Sequence, residues 1–312
     1  MPAKFLYTTF ALFSLTYSSF ALVDYTEEES FAPKNSGASR VRKPSPSPAP
    51  QVQTSVTKPR VEGRAPSGMF NTGVMYGSQD VELEGITGKV DTMSFEAHFQ
   101  TRYNIFMGLD YYQAKSTSGN FGNNGSSFQK GNPEVKLGFN WLQFGGAGEQ
   151  ATIDLYGGLS VGQDGSDFAT VRDDKLLGVT TAKRFYNFAL GLGYEVRLTG
   201  GSGEQELDIG NISRLSASLG WVASPDIRFL VEGSTYNIGR GGDSGLNRLG
   251  EDAKFSTVSP KLQLRLSSMF DLTLGAHFRT RRLKEATLVG AKLWNLDAAY
   301  GNVIFAGLAV NI

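Results

Sequence analysis

The stretch "YNFALGLGYEVRL", residues 186–198, alternates without a break. Phe188, Leu190, Leu192, Tyr194, Val196 and Leu198 fall on one side of an extended chain, and Asn187, Ala189, Gly191, Gly193, Glu195 and Arg197 on the other. Successive Cβ atoms of a strand point to opposite faces, so a period of two is a strand period. The two faces decide what kind of sheet this is. The apolar face is continuous and bulky, whereas the other mixes large charges with very small residues. A soluble barrel would fill its interior with the bulky face. Here that face is cheaper turned outward into lipid, with the charged and small residues inside.

The same pattern recurs in "NPEVKLGFNWL" (132–142), "PKLQLRL" (260–266) and "FDLTLGAHFRTR" (270–281). It predicts about twelve strands, near residues 69–84, 91–102, 104–116, 133–143, 151–163, 176–184, 186–198, 210–222, 226–237, 255–266, 270–282 and 301–312. No amphipathic helix interrupts them; only "KEATLVGAKLWNLDAAYG" (284–301) has room for a short helical turn.

Link lengths alternate as well. After even-numbered strands the links are short: Tyr103-Asn104, "GGAGEQ" (145–150), Phe185-Tyr186, "ASPD" (223–226) and "SSM" (267–269). After odd-numbered strands come "TSGNFGNNGSSFQKG" (117–131), "DGSDFATVRDD" (164–174), "TGGSGEQELDI" (199–209) and "GRGGDSGLNRLGEDAK" (239–254), with "ITGKV" (86–90) as the short exception. Tight turns at one end and long polar loops at the other are the pattern of a transmembrane β-barrel. Tyr103, Trp141, Phe144, Phe185, Tyr186, Trp221 and Phe270 gather at the short turns, where an aromatic girdle sits at headgroup level. The fold expected is therefore all-β: a transmembrane antiparallel up-and-down β-barrel of about twelve strands, closed by pairing of the first and last strands. A spanning sheet must close, because an open edge leaves unpaired backbone groups in hydrocarbon. The final stretch "GNVIFAGLAVNI" (301–312) fits this, with Ile304, Ala306, Leu308, Val310 and Ile312 facing lipid and the strand pairing back near Met69.

Ahead of the barrel, "MPAKFLYTTFALFSLTYSSFALVDY" has an early lysine, an apolar run and a small-residue site after Ala21, so residues 1–21 are expected to be a signal peptide. Residues 22–66, with "RKPSPSPAPQVQ", carry too much proline and too little apolar surface for a core. They are expected to be a disordered periplasmic tail acting as a spacer, and a charged tail of this kind could also touch peptidoglycan or a periplasmic protein. The barrel then occupies 67–312. Lys+Arg and Asp+Glu balance at 30 each, which gives no reason to expect a nucleic-acid partner, and the absence of cysteine removes disulfides and thiolate metal sites.

The apolar leader, the even run of strands, the loop asymmetry and a last strand of the "FAGLAVNI" kind resemble a Gram-negative outer-membrane β-barrel of the porin-like type. That resemblance implies a place in the outer membrane, contact with its lipid, and recognition of the last strand by the barrel assembly machinery. Such strands commonly end on an aromatic residue, and this one ends on Ile312. "KGNPEVKLGFNW" (130–141) also looks like a string found in outer-membrane transporters of phenol-degradation pathways.

No chemistry stands out. "GGAGEQ" returns as "GGSGEQ" at Gly200–Gln205, but neither copy leads into a Lys-Ser/Thr, so both read as turns rather than phosphate cradles. There is no His-x-Ser-Asn string of the outer-membrane phospholipase kind, and Asp173-Asp174 and Glu251-Asp252 read as solvated loop charge. No catalytic residue, metal or cofactor is expected. The working surface is the polar face: Glu96, His98, Arg102, Asp110, Lys136, Asp154, Glu195, Arg197, Arg214, Arg228, Glu232, Lys261, Arg265, Asp271, His277, Arg279 and Arg281 would line a pore. Gly138, Gly158, Gly191, Gly193, Ser216, Ser218, Gly220 and Gly275 would leave it room. The expected function is passive diffusion of small hydrophilic or amphipathic solutes through a mixed-charge lumen. The alternative is a closed barrel with a structural or surface-recognition role.

Overall fold

The computed structural model describes residues 69–101, 103–119, 127–145, 149–201, 206–242, 248–283 and 285–312. The expected signal peptide, the Pro-rich segment and Arg102 lie outside the described residues.

Thirteen strands follow one another: β1 (Met69–Leu83), β2 (Ile86–Gln100), β3 (Ile105–Gly119), β4 (Gln129–Lys130), β5 (Glu134–Phe144), β6 (Ala151–Ser160), β7 (Asp174–Phe185), β8 (Phe188–Leu198), β9 (Ile212–Ser224), β10 (Ile227–Ile238), β11 (Ala253–Arg265), β12 (Phe270–Arg281) and β13 (Gly301–Asn311). β4 is a two-residue piece paired to the side of β3. The other twelve each pair antiparallel with their chain neighbours, and β13 returns to β1 from Asn71↔Asn311 to Val81↔Gly301. The seam is completed by Phe70 and Ile312, which exchange backbone hydrogen bonds of 3.1 and 2.8 Å. The barrel has no open edge.

The register settles which face is inside. Cross-strand partners share a face, so the chain of pairs Glu96↔Asp110, Asp110↔Glu134 and Glu134↔Ser160 runs along the interior. Leu137, Leu190, Leu192, Leu215, Leu219 and Ile304 point outward and stay exposed. In water such a belt would be unstable; in hydrocarbon it is the matching surface.

Short links join the strands at one end. The turn between β7 and β8 is Tyr186-Asn187, with Tyr186 at φ 51°, and Asn104 before β3 takes φ 60°. One expected link is corrected. "ITGKV" is the start of β2, and the turn ahead of it is Glu84-Gly85, with Gly85 at φ 74°, where a residue without Cβ is unstrained.

At the opposite end the alternation changes sign. On β1, Val81 and Leu83 are buried inside while Asp80 and Glu82 are exposed outside. Val90 on β2, Leu176 on β7, Tyr236 and Ile238 on β10 and Phe255 on β11 are likewise buried and inward. Against them pack Phe168, Leu207, Ile209 and Leu249 from the loops 161–173, 199–211 and 239–252, together with Leu283, Leu288, Leu293, Leu296 and Tyr300 from the loop 282–300. That last loop contains the sequence-expected helical turn, a 3-10 segment over Ala286–Ala291. The hydrophobic core of the protein is thus a plug inside the loop end of the barrel, built as a soluble domain would build it.

Candidate functional site

Below the plug the interior is polar, and its charges are paired. Glu134 is the hub. It forms an ion pair with Lys136 Nζ at 2.8 Å and accepts from Arg197 Nη2 at 2.8 Å, while Lys136 also reaches Asp110 at 3.1 Å. Glu134 and Lys136 are each only 4% exposed. Across the lumen Arg214 donates to Glu232 at 2.6 Å and to Ser234 Oγ at 3.1 Å. Glu195 takes a hydrogen bond of 2.7 Å from Tyr156, and Asn140 donates to Asp154 at 2.7 Å. Buried charges persist only when paired and hydrogen-bonded, so within each of these clusters one member holds the next.

Glu134 and Tyr156 sit on the same inward faces as the residues picked from the sequence, yet were not among them. The signal was present for Glu134, which alternates in phase with Lys136. Asp174, expected to be solvated, is instead 2% exposed, bonded by Arg172 at 3.0 Å. The β6–β7 loop folds inward and takes both residues out of water.

The remaining sequence-predicted residues spread along the interior. His98 lies beside Phe106, with ring centroids 5.9 Å apart. Arg228 and Lys261 are half-buried near the short-turn end, and Arg265 pairs with Asp271 at 3.8 Å. Arg279 and Arg281 stand at the loop end, away from the central network. Arg279 contacts Glu82 at 3.5 Å and Arg281 is exposed. At the short turns Tyr103, Trp141, Phe144, Phe185, Tyr186, Trp221 and Phe270 are all exposed outward, and Trp221 stacks between Phe188 and Phe229 at 6.3 and 5.4 Å.

The inward glycines do not simply leave empty room. A Cβ on Gly138 would meet the Phe106 ring at 2.3 Å, one on Gly178 the Tyr156 ring at 2.2 Å, and one on Gly275 the Phe305 ring at 2.5 Å. Each glycine accommodates a neighbouring aromatic side chain lying flat along the wall. The glycines keep the wall thin where the rings would otherwise cross the lumen.

The loop 282–300 is anchored at its upper part and descends into this space. Arg172 donates to Ala291 O at 3.2 Å, Lys292 pairs with Glu206 at 3.2 Å, and the Tyr300 hydroxyl accepts from Leu293 N and donates to Leu288 O, both at 2.7 Å. Burial holds the Tyr300 phenol well above its ordinary range, so it stays an un-ionised donor. Lower down, Trp294–Ala298 form one wall of a cavity of about 80 Å³, whose other walls include Gly77, Ser94, Asp110, Glu134, His277 and Phe305.

One contact invites a catalytic reading. Ser259 Oγ lies 2.6 Å from His277 Nδ1, and His277 Nε2 faces Asp297 at 3.9 Å. The arrangement falls short of a nucleophile, base and orienting acid. The acid is beyond hydrogen-bond reach and shared with Arg214, and Ser259 does not line the cavity.

A closed antiparallel barrel with an apolar outer belt, a polar interior, tight turns at one end and long loops at the other is a transmembrane barrel of the bacterial outer membrane. No known family and no curated protein matches the chain. Among solved structures it is similar to an outer-membrane channel from Pseudomonas putida F1, at 9% identity and a TM-score of 0.56, over 80% of this chain and 98% of that one. Looser similarities are to the NanC porin, at 8% identity and a TM-score of 0.47 over 78% and 97%, and to outer membrane phospholipase A from Escherichia coli, at 12% identity and 0.41 over 77% and 89%. The first supports the fold; the other two are too loose to argue from.

Proposed function

We propose that the protein is an outer-membrane channel for small hydrophilic or amphipathic solutes, which cross by diffusion through the mixed-charge lumen whenever the loop 282–300 leaves it. The observation that carries this reading is the cavity beneath the plug. It is walled by barrel residues such as Gly77, Ser94 and Asp110, by Asn132 ahead of β5, and by Trp294–Ala298 of the loop. The barrel wall is permanent, while the loop 282–300 is one of the four connections that build the plug.

Glu96, Asp110, Lys136, Glu195, Arg197, Arg214 and Glu232 would then set selectivity by charge, as rings of charged side chains do in other pores. The lipid-facing last strand would serve in assembly, and the Pro-rich segment as a periplasmic spacer.

The test is single-channel conductance of the refolded protein in a planar bilayer, beside a variant in which residues 286–298 are replaced by a short Gly-Ser link. The expected result is brief openings for the natural chain and steady, salt-proportional steps for the variant. If both are silent, with folding confirmed by heat-dependent gel mobility, the apolar plug is a permanent closure and the second reading, a structural or surface-recognition barrel, takes its place.

A further inference from the structure

The tip of the descending loop offers one carboxylate to three donors from three strands. Asp297 Oδ2 lies 3.6 Å from Arg214 Nη2 on β9 and 3.5 Å from the Tyr236 hydroxyl on β10, and Oδ1 lies 3.9 Å from His277 Nε2 on β12. Charge-assisted hydrogen bonds close to about 2.7–2.9 Å, so none of these is drawn tight. The side chain occupies the place without saturating it.

The donors are held by other groups. Arg214 is fixed by Glu232 and Ser234, and its guanidinium lies over the Tyr236 ring at 5.3 Å. Tyr236 is stacked on Phe255 at 4.4 Å. His277 is 3% exposed, and the tautomer in which Ser259 donates to Nδ1 leaves the ring proton on Nε2, an atom with no hydrogen-bond partner. This is a preorganised set with one unspent donor and one guanidinium partly neutralised by Glu232. It suits a monoanion of carboxylate size rather than a dianion. Asp297 and His277 also line the cavity of about 80 Å³, which gives a small solute standing room beside them.

We propose that Arg214, Tyr236 and His277 form a binding site for small monocarboxylate solutes within the lumen, which Asp297 fills as an internal surrogate until a solute carboxylate displaces it and frees the loop. The proposal rests on the channel reading for its purpose, though not for its test. A tethered competitor acts at an effective concentration on the order of millimolar. Removing its charge therefore exposes the true affinity of the site.

Acetate is the probe, with acetamide as its neutral counterpart and chloride to match ionic strength. Trp294, three residues before Asp297 and packed edge-on against Phe168 and Tyr300 at 5.1 and 4.5 Å, reports on the loop. Trp141 and Trp221, both exposed on the outer face, are replaced by Phe to silence them. In this background the emission of Trp294 should respond to acetate and not to acetamide. The half-saturating concentration should fall at least about tenfold in Asp297→Asn and the response should vanish in Arg214→Met, while Arg214→Lys retains a weakened response. All variants are checked for heat-dependent gel mobility.

Equal half-saturation in the natural chain and Asp297→Asn, an equal response to acetamide, or an undiminished response in Arg214→Met overturns the site. A protein that passes this test yet gives a silent bilayer overturns the channel reading alone. A conducting protein whose Asp297→Asn variant binds acetate no better overturns the site alone.

Discussion

The two lengths of β1 obey opposite rules. From Asn71 to Gln79 the inward positions are polar or small apart from Met75, with Gly73 and Gly77 among them, and the outward ones include Val74 and the exposed Tyr76. Two residues later the inward positions are Val81 and Leu83, and the outward ones Asp80 and Glu82. The period never slips; only its sign reverses. One strand passes through two solvents, and each length buries whatever its solvent rejects. The lower length turns apolar groups to lipid, while the upper length, standing in water, turns them inward, where the loops complete a core. The point of reversal marks the membrane boundary at the loop end of the barrel.

Four predictions, drawn on five substitutions, sharpen or break this contrast. The largest effect belongs to the polar half. Glu134→Ala leaves Lys136 and Arg197 buried without their common partner and should destabilise the barrel by about 3–5 kcal/mol, read as a lowered urea midpoint in detergent. Next is Leu192→Arg, which places a charge in the lipid belt at a cost of about 2–4 kcal/mol. The matching change Ser118→Arg, outward on β3 beyond the point of reversal, should stay within about 0.5 kcal/mol. Equal costs for the two would break the contrast.

Third, Tyr300→Phe removes both hydrogen bonds that its hydroxyl makes within the plug loop, worth about 1–3 kcal/mol. It should appear as faster hydrogen exchange at the Leu293 amide and a lowered unfolding midpoint. The smallest is Trp221→Ala, which loses ring stacking worth about 0.5–1.5 kcal/mol at the girdle and should lower the thermal midpoint slightly.

The strands could be read because each is a long stretch of one period, and the lipid-facing residues are large enough to make it plain, as Phe188 to Leu198 do on β8. Ile86–Val90 reads as a link in the sequence because the sign of the alternation has already reversed there, with Thr87 and Lys89 outward. The plug was illegible for a different reason. Leu288, Leu293, Trp294 and Leu296 follow neither a strand nor a helix period, and the core they join is drawn from distant strands and from the loops 161–173, 199–211 and 239–252. Charge pairing was hidden by distance along the sequence. Glu134 and Arg197 are 63 residues apart, and nothing local announces that they meet.

The seam between β1 and β13 also governs how the barrel can form. Asn71 and Asn311 hydrogen-bond to each other although 240 residues separate them, so this ladder closes the longest loop in the molecule and belongs to the slowest class of contact. Until β13 arrives, β1 and β12 each present a bare row of donors and acceptors that hydrocarbon penalises and that neighbouring chains can capture. Insertion is therefore an all-or-none event timed by the last strand. A half-built barrel has no stable resting place in the bilayer, and the commitment to fold is made only when the two ends of the sheet meet.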